Sequence, residues 1–175
     1  MTIQAGTHKL GPSDGSLQVK TGREGKAAKA GHNLVIDVTS WEATVDAGED
    51  GSLDVELNAD GGSLKVASGE GGAKALTDKD KQEIDSTTKD KVLGGQPIKF
   101  KGSGDGSGSI SGDLTIGGAT NQVTAQLNVG DDGKVSGTIP INQSDFNITP
   151  YKAMMGALKV KDQVEVVIDA QLPAD

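Results

Sequence analysis

The residues of this chain that could perform chemistry are few, and its two histidines come first. The 175-residue sequence has no cysteine, so it offers no thiolate nucleophile, no disulfide and no cysteine-ligated metal. A nucleophilic serine would need His8 or His32 as its base. Two histidines are too few for a three-histidine metal site, and no pair of carboxylates is singled out by its spacing. We therefore predict a non-enzymatic protein with no catalytic residue, no metal and no cofactor.

Several glycine-rich segments invite a phosphate-loop or calcium-loop interpretation that their spacing does not support. Residues 102–108 fail the pattern G-x-G-x-x-G because position 107 is serine. Gly133-Lys134 is followed by Val135, where a P-loop requires serine or threonine. The preceding Asp131-Asp132 lacks the remaining ligands of an EF-hand loop. These segments are predicted to be turns between strands.

A local excess of cations at residues 20–29 is the clearest polar signal. The whole chain has a formal net charge of −8, which disfavours nucleic acid as a partner. It also disfavours binding of an anionic membrane over a large part of the protein surface. A solvated loop is one interpretation of the excess. The sharper interpretation is that Arg23, Lys26 and the nearby His32 contact an anionic head group, which also allows a transient membrane contact.

The elements that must position these residues are strands. Ile110, Gly112, Leu114 and Ile116 alternate with polar residues, and after a glycine-rich break at 117–120 the alternation resumes from Val123 to Val129. Period two with such a break predicts a β-hairpin with one apolar face. The same alternation recurs at 17–19, 34–45, 53–59, 64–66, 98–100, 135–141, 158–160 and 164–172. Its phase flips at Ser40, which predicts a β-bulge there.

One helix is predicted over residues 77–93. Thr77 and Asp80 have the spacing of a capping box, and Gly94 and Gly95 end the segment. Ile84, Thr88 and Val92 form a thin stripe, so the helix is expected to lie on the sheet. Antiparallel strands of even number close to remove their edges, so we predict an all-β fold, a closed barrel of about eight strands with this helix inserted.

The inward side chains of such a barrel either fill it or leave room for one small ligand. Small residues are interleaved with long aliphatic ones on the inward face, which is consistent with both outcomes. The predicted lining comprises Leu34, Ile36, Val38, Trp41, Val55, Leu57, Phe100, Leu114, Ile116, Val123, Leu127, Ile139, Phe146, Val166 and Ile168.

Several segments, taken in order, carry a resemblance to a known family. They are Gly31-His32, Pro97-Ile98-Lys99-Phe100, the run 112–118 with Val123 following, Ser144-Asp145-Phe146-Asn147-Ile148, and 160–172. In combination they resemble the YceI-like family of lipocalin-like polyisoprenoid-binding proteins, from about residue 15 to the C-terminus. Two positions depart from the family's pattern, since Gln143 stands for its usual arginine and Asn147 for its usual glycine. The usual Lys-Pro before Val123 is also missing.

The resemblance implies an eight-stranded antiparallel barrel with a helix, holding a polyisoprenoid or quinone chain in its bore. We therefore predict non-enzymatic binding or transport of such an apolar lipid. A filled barrel acting as a structural, interaction or stress-response protein is the first alternative. A lipid-acting hydrolase or isomerase, using His32 or an aspartate inside the barrel, is the second.

The sequence also bounds organisation and location. We expect one domain over 1–175, with residues 1–14 loosely ordered. No run of 18 apolar residues predicts a membrane span, and the first residues lack the basic and apolar regions of a signal peptide. A cytoplasmic location is therefore expected. The oligomeric state is left open, a dimer included.

Overall fold

A computed structural model describes residues 3–173 and shows a mainly β protein. Its strands are β1 (Gly6–Leu10), β2 (Gly15–Lys20), β3 (Arg23–Glu24), β4 (His32–Val38), β5 (Trp41–Ala47), β6 (Leu53–Ala59), β7 (Leu64–Gly71), β8 (Ile98–Gly104), β9 (Ser109–Ile116), β10 (Ala119–Gln126), β11 (Asn128–Val129), β12 (Lys134–Asn142), β13 (Lys152–Ala153), β14 (Leu158–Val160) and β15 (Gln163–Gln171). Helix α1 (Asp78–Thr87) continues into a π-helical turn, Thr88–Val92. Short 3-10 turns occupy Ala28–Ala30, Gln143–Phe146 and Met154–Gly156.

The strands divide into antiparallel sheets. One six-stranded sheet has the order β1-β5-β6-β8-β9-β10, and the other has the order β11-β12-β15-β2-β4-β7. A three-stranded sheet, β13-β14-β3, is attached at one end. The prediction of a closed barrel of about eight strands is therefore wrong in its closure and its strand count, although the antiparallel all-β class is confirmed. Alternation predicts which face of a strand points inward, but it does not predict whether the edge strands of the two sheets pair with each other.

The phase flip at Ser40 has a different cause from the one predicted. Strand β4 ends at Val38 in one sheet and β5 begins at Trp41 in the other, so the exposed residues Thr39 and Ser40 form a corner between sheets. The β-bulge lies instead in β7, where Val35 pairs with Ser68 and Ile36 with Val66. The intervening Ala67 is the extra residue.

The hairpin predicted over 110–129 is confirmed, with a tighter turn than the four residues expected. Ile116 pairs directly with Ala119, so only Gly117 and Gly118 form the turn, with φ of 58° and 85°. Two consecutive residues with positive φ define the type I′ turn that matches strand twist, and glycine adopts it without steric cost. Beyond Gln126 the chain crosses at Leu127 into the second sheet, where β11 pairs with β12.

Large and small side chains face each other across the inner surface of the first sheet. Trp41 on β5 pairs with Ala59 on β6, and Ala43 pairs with Leu57. On β5 every second residue is buried, from Trp41 at 5% exposure to Ala47 at 8%. This complementary pairing keeps the inner wall even, because each bulky side chain has a small neighbour across the ladder.

Helix α1 begins at the predicted capping box. The backbone N–H of Asp80 donates to Thr77 Oγ1 at 3.1 Å, and the Thr77 N–H donates to Asp80 Oδ2 at 2.9 Å. The helix is tied to the edge strand β7, since Val66 N–H donates to Asp85 Oδ1 at 2.9 Å. Ile84 and Val92 pack against the core, so the stripe lies on the sheet as expected.

The N-terminal segment differs from the expectation of loose order over 1–14. Gly6–Leu10 form an edge strand in which Gly6 pairs with Ala47 and Leu10 with Ala43. Of these residues only Leu10 is strongly apolar, so the segment carries no alternation to indicate a strand. Met1 and Thr2 lie outside the described residues.

Asn147 ends a 3-10 turn in the left-handed region, with φ 60° and ψ 24°. This explains how asparagine replaces the glycine usual in the family, because both tolerate that conformation better than other residues. We expect Asn147→Gly to change the free energy of unfolding by less than about 0.5 kcal/mol and Asn147→Val to lower it by about 1–2 kcal/mol. Urea denaturation measures both. The matched control is Asn142→Val, at the exposed last residue of β12, where φ is −92°; it should be nearly neutral. An equal loss of stability in this control would contradict the conformational explanation.

Candidate ligand cavity

An apolar cavity of about 760 Å³ lies between the two six-stranded sheets. Its volume falls within the range of small-molecule sites, which are mostly apolar with a few polar groups. The structure places all fifteen residues of the predicted lining on its wall. Thirteen of them come from strands of the two six-stranded sheets, as the period-two alternation requires, while Leu127 lies between β10 and β11 and Phe146 in a 3-10 turn.

Further parts of the wall come from elements that alternation does not describe. The helical segment contributes Ile84, Thr87, Val92 and Leu93, and the three-stranded sheet contributes Leu158. The thin stripe of α1 indicated that Ile84 and Val92 pack on the sheet, but not that they line a cavity. The alternation at 158–160 predicts a strand that includes Leu158, but it does not predict where that strand lies in space.

Polar residues gather at one end of the cavity, where Arg23 and His32 lie. Arg23 Nη1 donates to the backbone carbonyls of Gly31 and, at 2.9 Å, of Glu70. His32 Nε2 is 2.7 Å from the backbone carbonyl of Lys74, to which it donates. Two of the three predicted head-group residues, Arg23 and His32, are thus on the wall and held by backbone oxygens. Lys26 is exposed on the adjoining loop and is not part of the wall.

Helix α1 adds acidic groups to this polar end. Asp80 and Glu83 line it, as does Lys159 from β14. Hydrogen bonds from Thr77, with a smaller contribution from the nearby His32, hold the pKa of Asp80 below its usual value. Asp80 therefore stays ionised at neutral pH and serves the helix cap.

Neither His32 nor the serine-containing segment 11–15 has the arrangement that a hydrolase requires. A hydrolase would need His32 as a base beside a nucleophile, and the hydrogen bond described for His32 joins its Nε2 to the Lys74 carbonyl and includes no hydroxyl group. Residues 11–15 do match G-x-S-x-G, but they form a turn between β1 and β2, in which Gly11 N–H donates to Asp14 Oδ2 at 2.8 Å. A nucleophile elbow lies between a strand and a helix. Within residues 3–173 no three His, Asp or Glu side chains are grouped so as to hold a metal ion.

One end of the second sheet is acidic. The turns 48–52, 105–108 and 130–133 lie together at the end where Lys134 pairs with Gln171, and they contain five acidic residues without a lysine or arginine. Hydrogen bonds from Ser52 and Ser107 hold the pKa values of Asp50 and Asp105 below their usual range, so both are ionised at neutral pH. The opposite end, where Asn142 pairs with Gln163, adjoins the polar end of the cavity.

Solved structures share this architecture. The crystal structure of Burkholderia cenocepacia BcnA matches with a TM-score of 0.60 at 18% identity, covering 87% of this chain and 94% of that one. A mutant CJ YceI protein for nanotechnology applications matches with a TM-score of 0.56 at 15% identity, covering 80% of this chain and 84% of that one. A second mutant of CJ YceI, with a monobromobimane guest, matches with a TM-score of 0.54 at 15% identity and the same coverage. No curated protein sequence matches the chain.

Fold and cavity together define a mainly β, lipocalin-like protein with an apolar interior. The chain belongs to the YceI-like family, whose domain pattern matches residues 3–172. Proteins of this family generally bind polyisoprenoids, and they are generally binding proteins rather than enzymes. Among the described residues no helix has both the length and the apolar character needed to cross a membrane.

Proposed function

We propose that this protein binds and carries a long apolar lipid, a polyisoprenoid or isoprenoid quinone, in the cavity between its two sheets. The observation that supports the proposal most directly is the cavity itself, about 760 Å³ of space lined almost throughout by aliphatic and aromatic side chains. The fifteen residues predicted from alternation would contact the chain of the ligand. Arg23 and His32 would contact its polar head at the polar end of the cavity.

The energetics of such a site require no polar motif. Burying apolar surface contributes ~0.8 kcal/mol per CH₂ group, so one five-carbon isoprene unit is worth about 3–4 kcal/mol before ordering costs. A few units in contact with the wall therefore suffice for micromolar binding on this scale. Specificity would come from the length and width of the cavity.

The two alternatives make different demands. A filled barrel acting as a structural, interaction or stress-response protein needs no cavity, so a lined space of this size argues against it. A lipid-acting hydrolase or isomerase needs a polar pair inside the cavity, whereas His32 lies at the polar end of the cavity and its described hydrogen bond is to the Lys74 carbonyl, not to a catalytic partner. We therefore favour a non-enzymatic carrier.

Organic extraction of the natively purified protein, followed by mass spectrometry, tests the proposal. We expect a prenyl chain to co-purify, and we expect the stripped protein to take up geranylgeraniol. Trp41 is the only tryptophan in the chain and lies on the cavity wall, so its fluorescence should change on uptake. Absence of both a co-purifying lipid and an uptake signal would contradict the carrier function.

The cellular location and the oligomeric state are separate questions from lipid binding. YceI-like proteins are often periplasmic, so the cytoplasmic location expected from the sequence stays a prediction. A dimer likewise stays open, and the extraction experiment does not depend on either.

A further inference from the structure

We propose that the surface formed by residues 22–30 and 151–161 docks the protein on an anionic lipid bilayer. We call it the tip surface. It comprises the three-stranded sheet, the 3-10 turn Ala28–Ala30 and the exposed turn Met154–Gly156. The inference goes beyond lipid binding in the cavity, and docking does not depend on what the cavity holds.

Charge is concentrated on the tip surface against the trend of the whole chain. Its two segments contain six of the 17 lysine and arginine residues but one of the 25 acidic residues. The tip surface therefore has a formal charge of +5 in a chain of −8. Its single acid, Glu24, forms an ion pair with Lys159 at 3.4 Å. Lys26, Lys29 and Lys152 are exposed.

The two segments are held together by backbone contacts. Val160 pairs with Arg23, and Lys159 with Glu24, in the ladder between β14 and β3. The Ala27 N–H donates to the Ala157 carbonyl at 2.7 Å. A side chain at Gly25, where φ is +104°, would lie 2.3 Å from that same carbonyl oxygen. The close approach makes the cations of both segments one surface.

An apolar turn, Met154–Gly156, lies among the basic residues of the tip surface. Met155 is fully exposed at 106% and Met154 is 59% exposed, and Tyr151 beside them is 51% exposed. Met154 and Met155 have φ of 52° and 58°, in the left-handed region that residues other than glycine rarely adopt. Folding thus holds two flexible apolar side chains in solvent in an unfavourable conformation, where they make no contribution to the core.

An anionic bilayer fits both properties of the tip surface. Basic side chains are attracted to an anionic leaflet, and exposed apolar side chains insert at the boundary between head groups and acyl chains. The surface also adjoins the polar end of the cavity, since Tyr151, Leu158 and Lys159 belong to both. The acids of that end, Asp80 and Glu83, come from α1 and not from the tip surface.

Flotation of the stripped, ligand-free protein with vesicles tests the inference. One vesicle set is phosphatidylcholine, and the other contains a minority of phosphatidylglycerol. We expect binding only to the second set, weakening as salt is raised. The double change Lys26→Glu with Lys152→Glu should lower the affinity at least about 30-fold, since each cation near an anionic leaflet is worth about 1 kcal/mol. Met154→Ser with Met155→Ser should lower it roughly tenfold or more.

The matched control is Lys99→Glu with Lys101→Glu, two exposed residues on the outer face of β8. This variant should bind vesicles nearly as the unchanged protein does. Equal affinity for both vesicle sets would overturn the proposal, and so would an affinity unaffected by the methionine changes. Self-association through Met155 without flotation would make the surface an interface between copies and would also overturn it. Geranylgeraniol uptake, measured separately, tests the cavity, so the two proposals can fail independently.

Discussion

We expect the substitution Ile168→Trp to weaken geranylgeraniol binding by more than about 100-fold while the protein remains folded. Ile168 lies on the cavity wall at the centre of β15, where it pairs with Gly137 on one side and Leu17 on the other. A tryptophan there projects into the space that the chain of the ligand would occupy. Displacing one isoprene unit removes about 3–4 kcal/mol of apolar burial, which corresponds to a factor of more than 100 in affinity.

The control for this experiment is the same substitution at the adjacent residue. Val167 lies on the other face of β15 and does not line the cavity, so Val167→Trp should leave uptake unchanged. Ligand binding is best followed by calorimetry, because a second tryptophan complicates the fluorescence of Trp41. Ile116→Trp, also on the wall, should behave like Ile168→Trp. Full uptake by both wall variants would place the ligand outside this cavity.

The second large effect concerns stability. Gly112 on β9 pairs with Gly102 on β8, and the strands approach so closely there that a side chain at Gly112 would lie 2.2 Å from the Lys101 carbonyl oxygen. We expect Gly112→Ala to lower the free energy of unfolding by about 3 kcal/mol, because overlap with backbone atoms cannot be relieved by a rotamer change. Urea denaturation would show a lower midpoint with an unchanged slope.

Gly11→Ala is the matched control for Gly112→Ala. Neither glycine has a positive φ, but a side chain at Gly11 would meet only the Trp41 carbonyl oxygen at 3.5 Å, an ordinary contact. The control should therefore unfold within about 0.5 kcal/mol of the unchanged protein. A similar loss in both variants would attribute the effect to alanine itself rather than to the close approach of β8 and β9.

The inward face of each strand could be predicted because alternation is a property of single strands. Each strand residue points to the face opposite that of its neighbours, so Leu34 and Ile36 are assigned to one face without knowledge of their partners. The capping box at Thr77 and Asp80 is equally local, and so is the glycine turn at Gly117. Features of this kind are encoded within a few residues of sequence.

The rest depends on contacts between segments distant in the sequence. The point at which the chain leaves the first sheet is set by pairings within the second, such as Asn128 with Ser136, which alternation does not specify. The attachment of Arg23 to the Glu70 carbonyl joins residues 47 positions apart. Whether the inner space is filled or hollow depends on how side chains from all strands meet. No single segment contains that information.

The basic tip surface and the acidic turns 48–52, 105–108 and 130–133 lie beyond opposite ends of the second sheet, and this has a consequence for diffusion. A basic end near Lys152 and an acidic end near Asp50 and Asp105 give the molecule an electric dipole along its cavity. Near a negatively charged surface such a dipole experiences a torque that turns the basic end forward before contact. Productive encounters then form a larger share of all collisions, and that share falls as ions shorten the Debye length.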